Sequence, residues 1–271
     1  MHIFFLSIFF LIFNGCASSN PSSQVPLSLV KTTESNSTKE SCILKKPKIS
    51  LEEELSQIGA KVGDPIFIRI FKEEKELELW VKTGFQYQLL KIYDICNFSG
   101  DLGPKLKEGD RQSPEGFYVV SKDRLNPYSR FYLSMNIGFP NRYDRDRGRT
   151  GSNIMIHGGC KSIGCFAMQN MMIDEIYRLS RASLLEGENY FYVSIFPFRM
   201  EEDKMDSYKD HKWYTFWQNL KEGYDIFERD HVPPVVRVKK KSYRFYSKVR
   251  YELKASLSTM DGENANGDHK N

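Results

Sequence analysis

The sequence predicts a mainly β domain with helices packed on its outside, an α+β arrangement. Three observations carry that expectation. Short segments of alternating or β-rich character recur between loops rich in Gly, Pro and Asp, only two long amphipathic helices interrupt them, and everything periodic lies between residues 50 and 250. The 271 residues carry 39 Lys and Arg against 35 Asp and Glu, a net charge of +4, with 40% hydrophobic and 27% charged residues. Such a chain buries a core without needing its five cysteines as a disulfide framework. Charge this close to balance does not mark a nucleic-acid binder, so no nucleic-acid partner is expected.

Residues 1–16 read as a targeting element. Ile3 to Phe13 form an apolar run broken only by Ser7, the length of a signal-peptide core and short of the ~20 residues that span a bilayer. Asn14-Gly15-Cys16-Ala17 then resembles a bacterial lipobox, in which Cys16 receives lipid; plain cleavage after Ala17 is the other reading. Both predict export to the periplasm or cell envelope, and a lipidated Cys16 adds a membrane surface as a partner. Residues 17–49 read as a tether, because half of the residues from Ala17 to Glu40 are Ser, Thr or Asn, with too little apolar area to offset the entropy of ordering.

Ser50 and Glu53 form a capping box, and Leu51, Leu55 and Ile58 share one face, so a short helix opens the domain and Gly59 or Gly63 ends it. Ile66–Phe71 is β-rich. Leu77, Leu79 and Val81 alternate with polar neighbours, and after Lys82-Thr83-Gly84 so do Phe85, Tyr87 and Leu89, which predicts a hairpin. Further strands are expected at 116–121, 153–157 and 190–196. A helix is expected from Asn170, as N-cap, to about Leu185, with Met172, Ile176 and Leu179 on its inner face. A second runs from Trp213 to about Phe227, and its stripe of Trp213, Phe216, Trp217, Leu220 and Tyr224 reads as core. After Pro233-Pro234 come Arg237, Lys239, Lys240, Lys241, Arg244, Lys248 and Arg250 without an acidic residue, either a solvated face or a surface for anionic lipid or wall polymer. Residues 251–271 are polar and aperiodic and read as a disordered tail.

The chemistry concentrates in residues 151–168. A thiol titrates near 8.5, so a nucleophilic cysteine needs a base or a cation beside it, and His157 is the histidine that lies near a cysteine. Gly158, Gly159 and Gly164 let the chain turn tightly and expose N–H groups. If Cys165 starts a turn into the following helix, the N–H groups of Gly164 and Cys165 offer an oxyanion site and the helix dipole favours thiolate. Two rivals stand beside this acyl-transfer reading. His157, Cys160 and Cys165 supply three zinc ligands but lack a fourth; the second rival is a disulfide between Cys160 and Cys165, which leaves Cys42 and Cys96 to pair with each other or remain free.

The segment His157-Gly158 followed by Ser162-Ile163-Gly164-Cys165 resembles the active-site motif of the YkuD-type L,D-transpeptidases, a family of bacterial cell-wall enzymes. Ser113-Pro114-Glu115-Gly116-Phe117-Tyr118 resembles a second motif of that family, and Phe139–Arg145 and Trp213–Leu220 are similar to its YafK-like branch. The resemblance covers roughly residues 50–246. It implies the family's β-rich fold, no organic cofactor and no metal, and a set of roles: Cys165 as nucleophile, His157 as base, Gly158 orienting the imidazole through its carbonyl, Ser162 lining the site, Gly164 and Cys165 holding the oxyanion. The implied substrate is the stem peptide of peptidoglycan, attacked at the carbonyl of the L-centre of diaminopimelate to give a thioester. Ile163 and Ala167 stand where most of the family has polar residues that grip the donor, and Arg142, Arg145, Arg147 and Arg149 are candidates to replace that grip, with Arg142, Arg145 and Arg149 foremost. Alternatives within and beyond this reading are hydrolysis that detaches a wall-linked lipoprotein, and an inactive, lipid-anchored wall-binding protein.

Overall fold

Strand β1 (Ile66–Phe71) organises the computed structural model, which describes residues 49–249. The targeting segment, Cys16, Cys42, nearly all of the tether, Arg250 and the tail lie outside the described residues. β1 reads Ile-Phe-Ile-Arg-Ile-Phe, and all six residues are buried because both faces of the strand are covered. Ile66, Ile68 and Ile70 enter one apolar cluster with Ile173, Ile176 and Leu179 of helix α3 (Asn170–Leu185). The other face meets helix α5 (Tyr214–Asp230), where Phe67 packs at a tilt 4.8 Å from Phe227 and Phe71 meets Tyr224 edge-on. Between those rings sits Arg69, 2% exposed, with Glu228 at 2.6 Å and the rings of Phe71, Tyr224 and Phe227 within 4.9 Å.

One sheet of nine strands carries the fold. In chain order the strands are β1, β2 (Glu76–Thr83), β3 (Gln86–Asn97), β4 (Gly116–Ser121), β5 (Leu125–Ser129), β6 (Tyr132–Asn136), β7 (Met155–His157), β8 (Phe166–Met168) and β9 (Tyr190–Phe196). Their spatial order is β4-β9-β1-β2-β3-β8-β7-β6-β5, antiparallel except for β1 beside β9 and β7 beside β8. Strand β3 belongs to both halves: it pairs with β2 up to Asp94 and, past a register shift, with β8 at Ile95 and Asn97. The opening helix α1 (Leu51–Gln57) has the expected capping box, and Leu51 and Leu55 are buried in the same cluster as α3.

The edge strand β4 is covered by side chains. Arg124 Nη1 donates to Val119 O and Asn141 Nδ2 to Phe117 O, both at 2.8 Å. Asn141 caps helix α2 (Arg142–Asp146) and also donates to the Tyr243 hydroxyl.

Two local expectations are corrected. Gln169, not Asn170, is the N-cap of α3, and Asn170 Oδ1 instead accepts from Gly159 N–H at 3.0 Å. Three residues of strand β8 separate Cys165 from α3, so the chain does not turn from the cysteine into a helix and that helix dipole does not act on the thiol. The basic stretch forms a hairpin of β10 (Val235–Lys239) and β11 (Ser242–Tyr246), with Arg237, Lys239 and Arg244 outward and Tyr243 buried against Phe117 and Tyr143. The stripe on α5 is core: Trp217 and Leu220 are fully buried, and Phe216 and Tyr224 nearly so.

Lys72, directly after β1, and Glu115, directly before β4, form an ion pair of 3.0 Å with both side chains fully buried. Every polar atom of the pair has further partners. Lys72 Nζ donates to the carbonyls of Asp101, Gly103 and Ser113, while Glu115 accepts from Gly103 N–H and from Trp217 Nε1. Burial pushes the Lys72 ammonium below its ordinary pKa and the Glu115 carboxylate opposes the shift. Removing one member strands the other charge, so Lys72→Met is expected to lower the urea-denaturation free energy by about 3–5 kcal/mol, and Lys72→Met/Glu115→Leu to recover part of that loss.

Candidate active site

β7 and β8 lie side by side in parallel, with Ile156 opposite Phe166 and His157 opposite Ala167. Extending that register sets Cys165 opposite Met155, and Met155 N–H lies 3.4 Å from Cys165 Sγ. Met155 and His157 are two residues apart on one strand and so face the same side, which brings imidazole and thiol onto one face about 6–7 Å apart along the strand direction. His157 is 2% exposed, and its Nδ1 is 2.6 Å from the Gly158 carbonyl. A carbonyl only accepts, so Nδ1 carries the proton and Nε2 keeps its lone pair. Phe131, in the turn between β5 and β6, packs its ring 4.7 Å from the imidazole and fixes its plane.

The carbonyl of Cys165 is held by two serines, Ser162 Oγ at 2.7 Å and Ser113 Oγ at 3.1 Å. Ser99 Oγ lies 2.8 Å from Ser162 Oγ, and Ser99 N–H donates to Ser113 Oγ. Gly164 N–H donates to Ser162 Oγ at 3.1 Å and is therefore engaged in this state rather than free for an oxyanion. Gly164 has φ +142, a conformation that favours glycine, and Gly158 is required sterically, since a Cβ there would fall 2.9 Å from Phe131 O.

The disulfide pairing differs from both sequence expectations. Cys160 is bonded to Cys96 of strand β3, across 64 residues, which leaves Cys165 as the free cysteine among the described residues. Cys160 is thus removed from any thiolate ligand set with His157 and Cys165, and Cys42 is not the partner of Cys96. Register explains the pairing: Cys96 lies between Ile95 and Asn97, the two residues of β3 that pair with β8. The bond ties the His157–Cys165 loop to the long strand.

The electrostatics also depart from expectation. Burial pushes the Cys165 thiol above its ordinary value, while Met155 N–H and Lys105 pull it down, so the resting group is a thiol rather than a low-pKa thiolate. Burial pushes His157 below 6.5, against the Gly158 carbonyl, which raises it. Burial thus disfavours the charged form of both groups.

Of the four arginines singled out, Arg149 is buried and ion-paired with Asp144 at 2.9 Å. Arg147 is bound to the Lys241 carbonyl of the hairpin. Arg142 and Arg145 line a cavity that contains neither Cys165 nor His157. Sequence reasoning missed Ser99, Lys105 and Phe131 at the site. Ser113 was visible as the first residue of the Ser-Pro-Glu-Gly segment, but nothing in that segment indicated which backbone group it serves.

Residues 69–187 match the model of the YkuD L,D-transpeptidase catalytic domain. The chain is 52% identical over 177 residues to the putative L,D-transpeptidase YafK of Escherichia coli K12, covering 65% of this chain and 72% of that protein, and matches the O157:H7 protein equally. Among solved structures, the helical cell shape determining protein Pgp2 of Campylobacter jejuni is matched with a TM-score of 0.40 and 17% identity over 74% of this chain and 90% of that one. Bd1075 of Bdellovibrio bacteriovorus is matched with a TM-score of 0.35 and 20% identity over 62% and 61%. The chain belongs to the L,D-transpeptidase family defined by the YkuD catalytic domain.

Two expectations follow from the geometry. Cys96→Ser/Cys160→Ser is expected to lower the unfolding free energy by about 4 kcal/mol for a closed loop of this length, and to speed alkylation of Cys165 by iodoacetamide, because a loosened loop relieves the burial that holds the thiol pKa up. Because the base must be neutral and His157 stays neutral below pH 6.5, the acid limb of kcat/KM should have its midpoint below that value; a limb at or above it would contradict the burial of the imidazole.

Proposed function

We propose that this protein is an exported peptidoglycan-active cysteine enzyme, in which Cys165 attacks the carbonyl of the L-centre of diaminopimelate in a stem peptide. The observation that carries the reading is the parallel register of β7 and β8, which sets His157 and Cys165 on one face, with the Gly158 carbonyl holding Nδ1–H so that Nε2 keeps its lone pair. Nε2 takes the thiol proton as sulfur bonds to the carbonyl carbon. The imidazolium then delivers that proton to the departing amine, and a thioester remains on Cys165. An incoming amine resolves the thioester to a new cross-link or a protein–wall bond; water resolves it to a free stem carboxylate. His157 serves as base again in either case.

Ser162 and Ser113 act on the backbone. By holding the Cys165 carbonyl they fix the peptide plane from which the nucleophile projects. When substrate enters, release of Gly164 N–H from Ser162 Oγ would supply a donor for the oxyanion beside Cys165 N–H. Lipidation of Cys16 would hold the enzyme at a membrane surface, with the tether giving it reach to the wall.

The test is mass spectrometry of wall fragments, and of wall-linked lipoprotein, after incubation with the purified protein. Cys165→Ala is expected to abolish turnover and His157→Ala to reduce it by about 10²–10⁴-fold. New cross-linked stems identify transfer, and free tripeptide stems or released lipoprotein identify hydrolysis. Equal fragment profiles with Cys165→Ala and the unaltered protein would leave a wall-binding protein instead of an enzyme.

A further inference from the structure

A cavity of about 280 Å³ opens where β4, α2 and the C-terminal hairpin meet, and Arg124, Arg142 and Arg145 all line it. No carboxylate lines it with them. Two of the guanidiniums are anchored on carbonyl oxygens, Arg124 on Val119 and Arg145 on Pro140, contacts that fix their orientation without cancelling their charge. Only Arg142 has a carboxylate partner, Asp146 at 2.7 Å outside the cavity. The arrangement also depends on backbone shape: a Cβ on Gly138, at φ +79, would collide with the Arg124 guanidinium, so glycine leaves this group its place in the cavity lining. Tyr192, Val236 and Val238 supply an apolar wall.

We infer that this cavity is a second binding site, which takes a free carboxylate of a peptide stem at a point remote from the bond being broken. The proposal rests on the peptidoglycan reading above for the identity of the peptide. Guanidinium forks match a carboxylate in two-point geometry, and three of them lining one cavity, two without a carboxylate partner among the described residues, call for an anionic ligand. The volume accommodates one residue-sized group, near the lower end for small-ligand sites, whereas an anionic polymer needs an open track. The apolar wall suits the aliphatic part of such a residue. The site is distinct from the thiol yet connected to it. Gly138 follows β6, whose Asn136 pairs with Met155, the neighbour of Cys165, and Ile137 N–H bonds Ile154 O. Binding a remote part of the substrate there would supply energy for placing the scissile bond at Cys165.

Calorimetry on the full chain carrying Cys165→Ala, which prevents turnover, tests this with the tripeptide L-alanyl-γ-D-glutamyl-meso-diaminopimelate as probe. The expected result is binding that weakens at least about tenfold in an added Arg142→Gln/Arg145→Gln pair, and as much when the tripeptide's carboxylates are amidated. Prior alkylation of Cys165 in the unaltered protein is expected to leave the affinity unchanged. Arg142 and Arg145 are exposed, and an unaltered thermal midpoint, with an unaltered Cys165 alkylation rate when the same two changes are made in the protein that keeps Cys165, would show that the arginine variant is folded. Absence of binding, equal affinity in the arginine variant, loss of binding on alkylation, or inorganic phosphate binding as tightly as the peptide would each overturn the inference. Turnover of wall fragments by the unaltered protein is measured separately, so failure of this site and failure of the enzymatic reading are told apart.

Discussion

The buried pair of Lys72 and Glu115 is the constraint on which the catalytic architecture depends. Lys72 gathers three carbonyls of the 101–113 segment, and Glu115 fastens that segment to Trp217 on the far helix. A segment without regular secondary structure is thereby given a fixed path between β3 and β4. Along that path stand Ser99 and Ser113, which meet Ser162 and the Cys165 carbonyl. The charge pair thus determines, through backbone rather than through direct contact, where the Cys165 peptide plane lies. An apolar substitute could fill the same volume, but it would not draw three carbonyl oxygens to one point.

The strand β3 has a comparable role on the opposite side of the site. It is long enough to pair with β2 and then with β8, and the Cys96–Cys160 bond at its end secures the loop that separates histidine from cysteine. His157 at the end of β7 and Cys165 just before β8 would otherwise depend on three-residue pairings alone. The covalent link and the serine contacts restrain that loop from two directions. The opposite shifts of the two groups, His157 downward and Cys165 upward, follow from the same enclosure: a site closed enough to fix them also withholds the water that would stabilise their charges.

Much of this was legible in the sequence, for identifiable reasons. Alternation in β2 and in the first residues of β3, and the run of β1, carry local information, so β1, β2 and the start of β3 emerge near their observed positions, as does the capping box at Ser50 and Glu53, whereas the extension of β3 to Asn97 was not legible. The stripe on α5 declares a buried face through its spacing. What failed to show is non-local. The partner of Cys160 is set by the register of β3 against β8, a relation between residues 64 apart. The three residues of β8 are too few to show a period, so the motif reads as entering a helix directly. Arg142 and Arg149 have the same charge in sequence; only packing separates the one that lines a cavity from the one buried against Asp144.

The guarding of β4 by Arg124 and Asn141 has a consequence for the protein's company in a crowded envelope. A sheet edge with free carbonyls is a template on which another extended chain can add itself. Here the carbonyls of Phe117 and Val119 are already answered by side chains of the same molecule. An extended peptide arriving at this edge finds acceptors occupied and a positive charge in front of them, so a protein that works among many extended peptides is not itself extended by them.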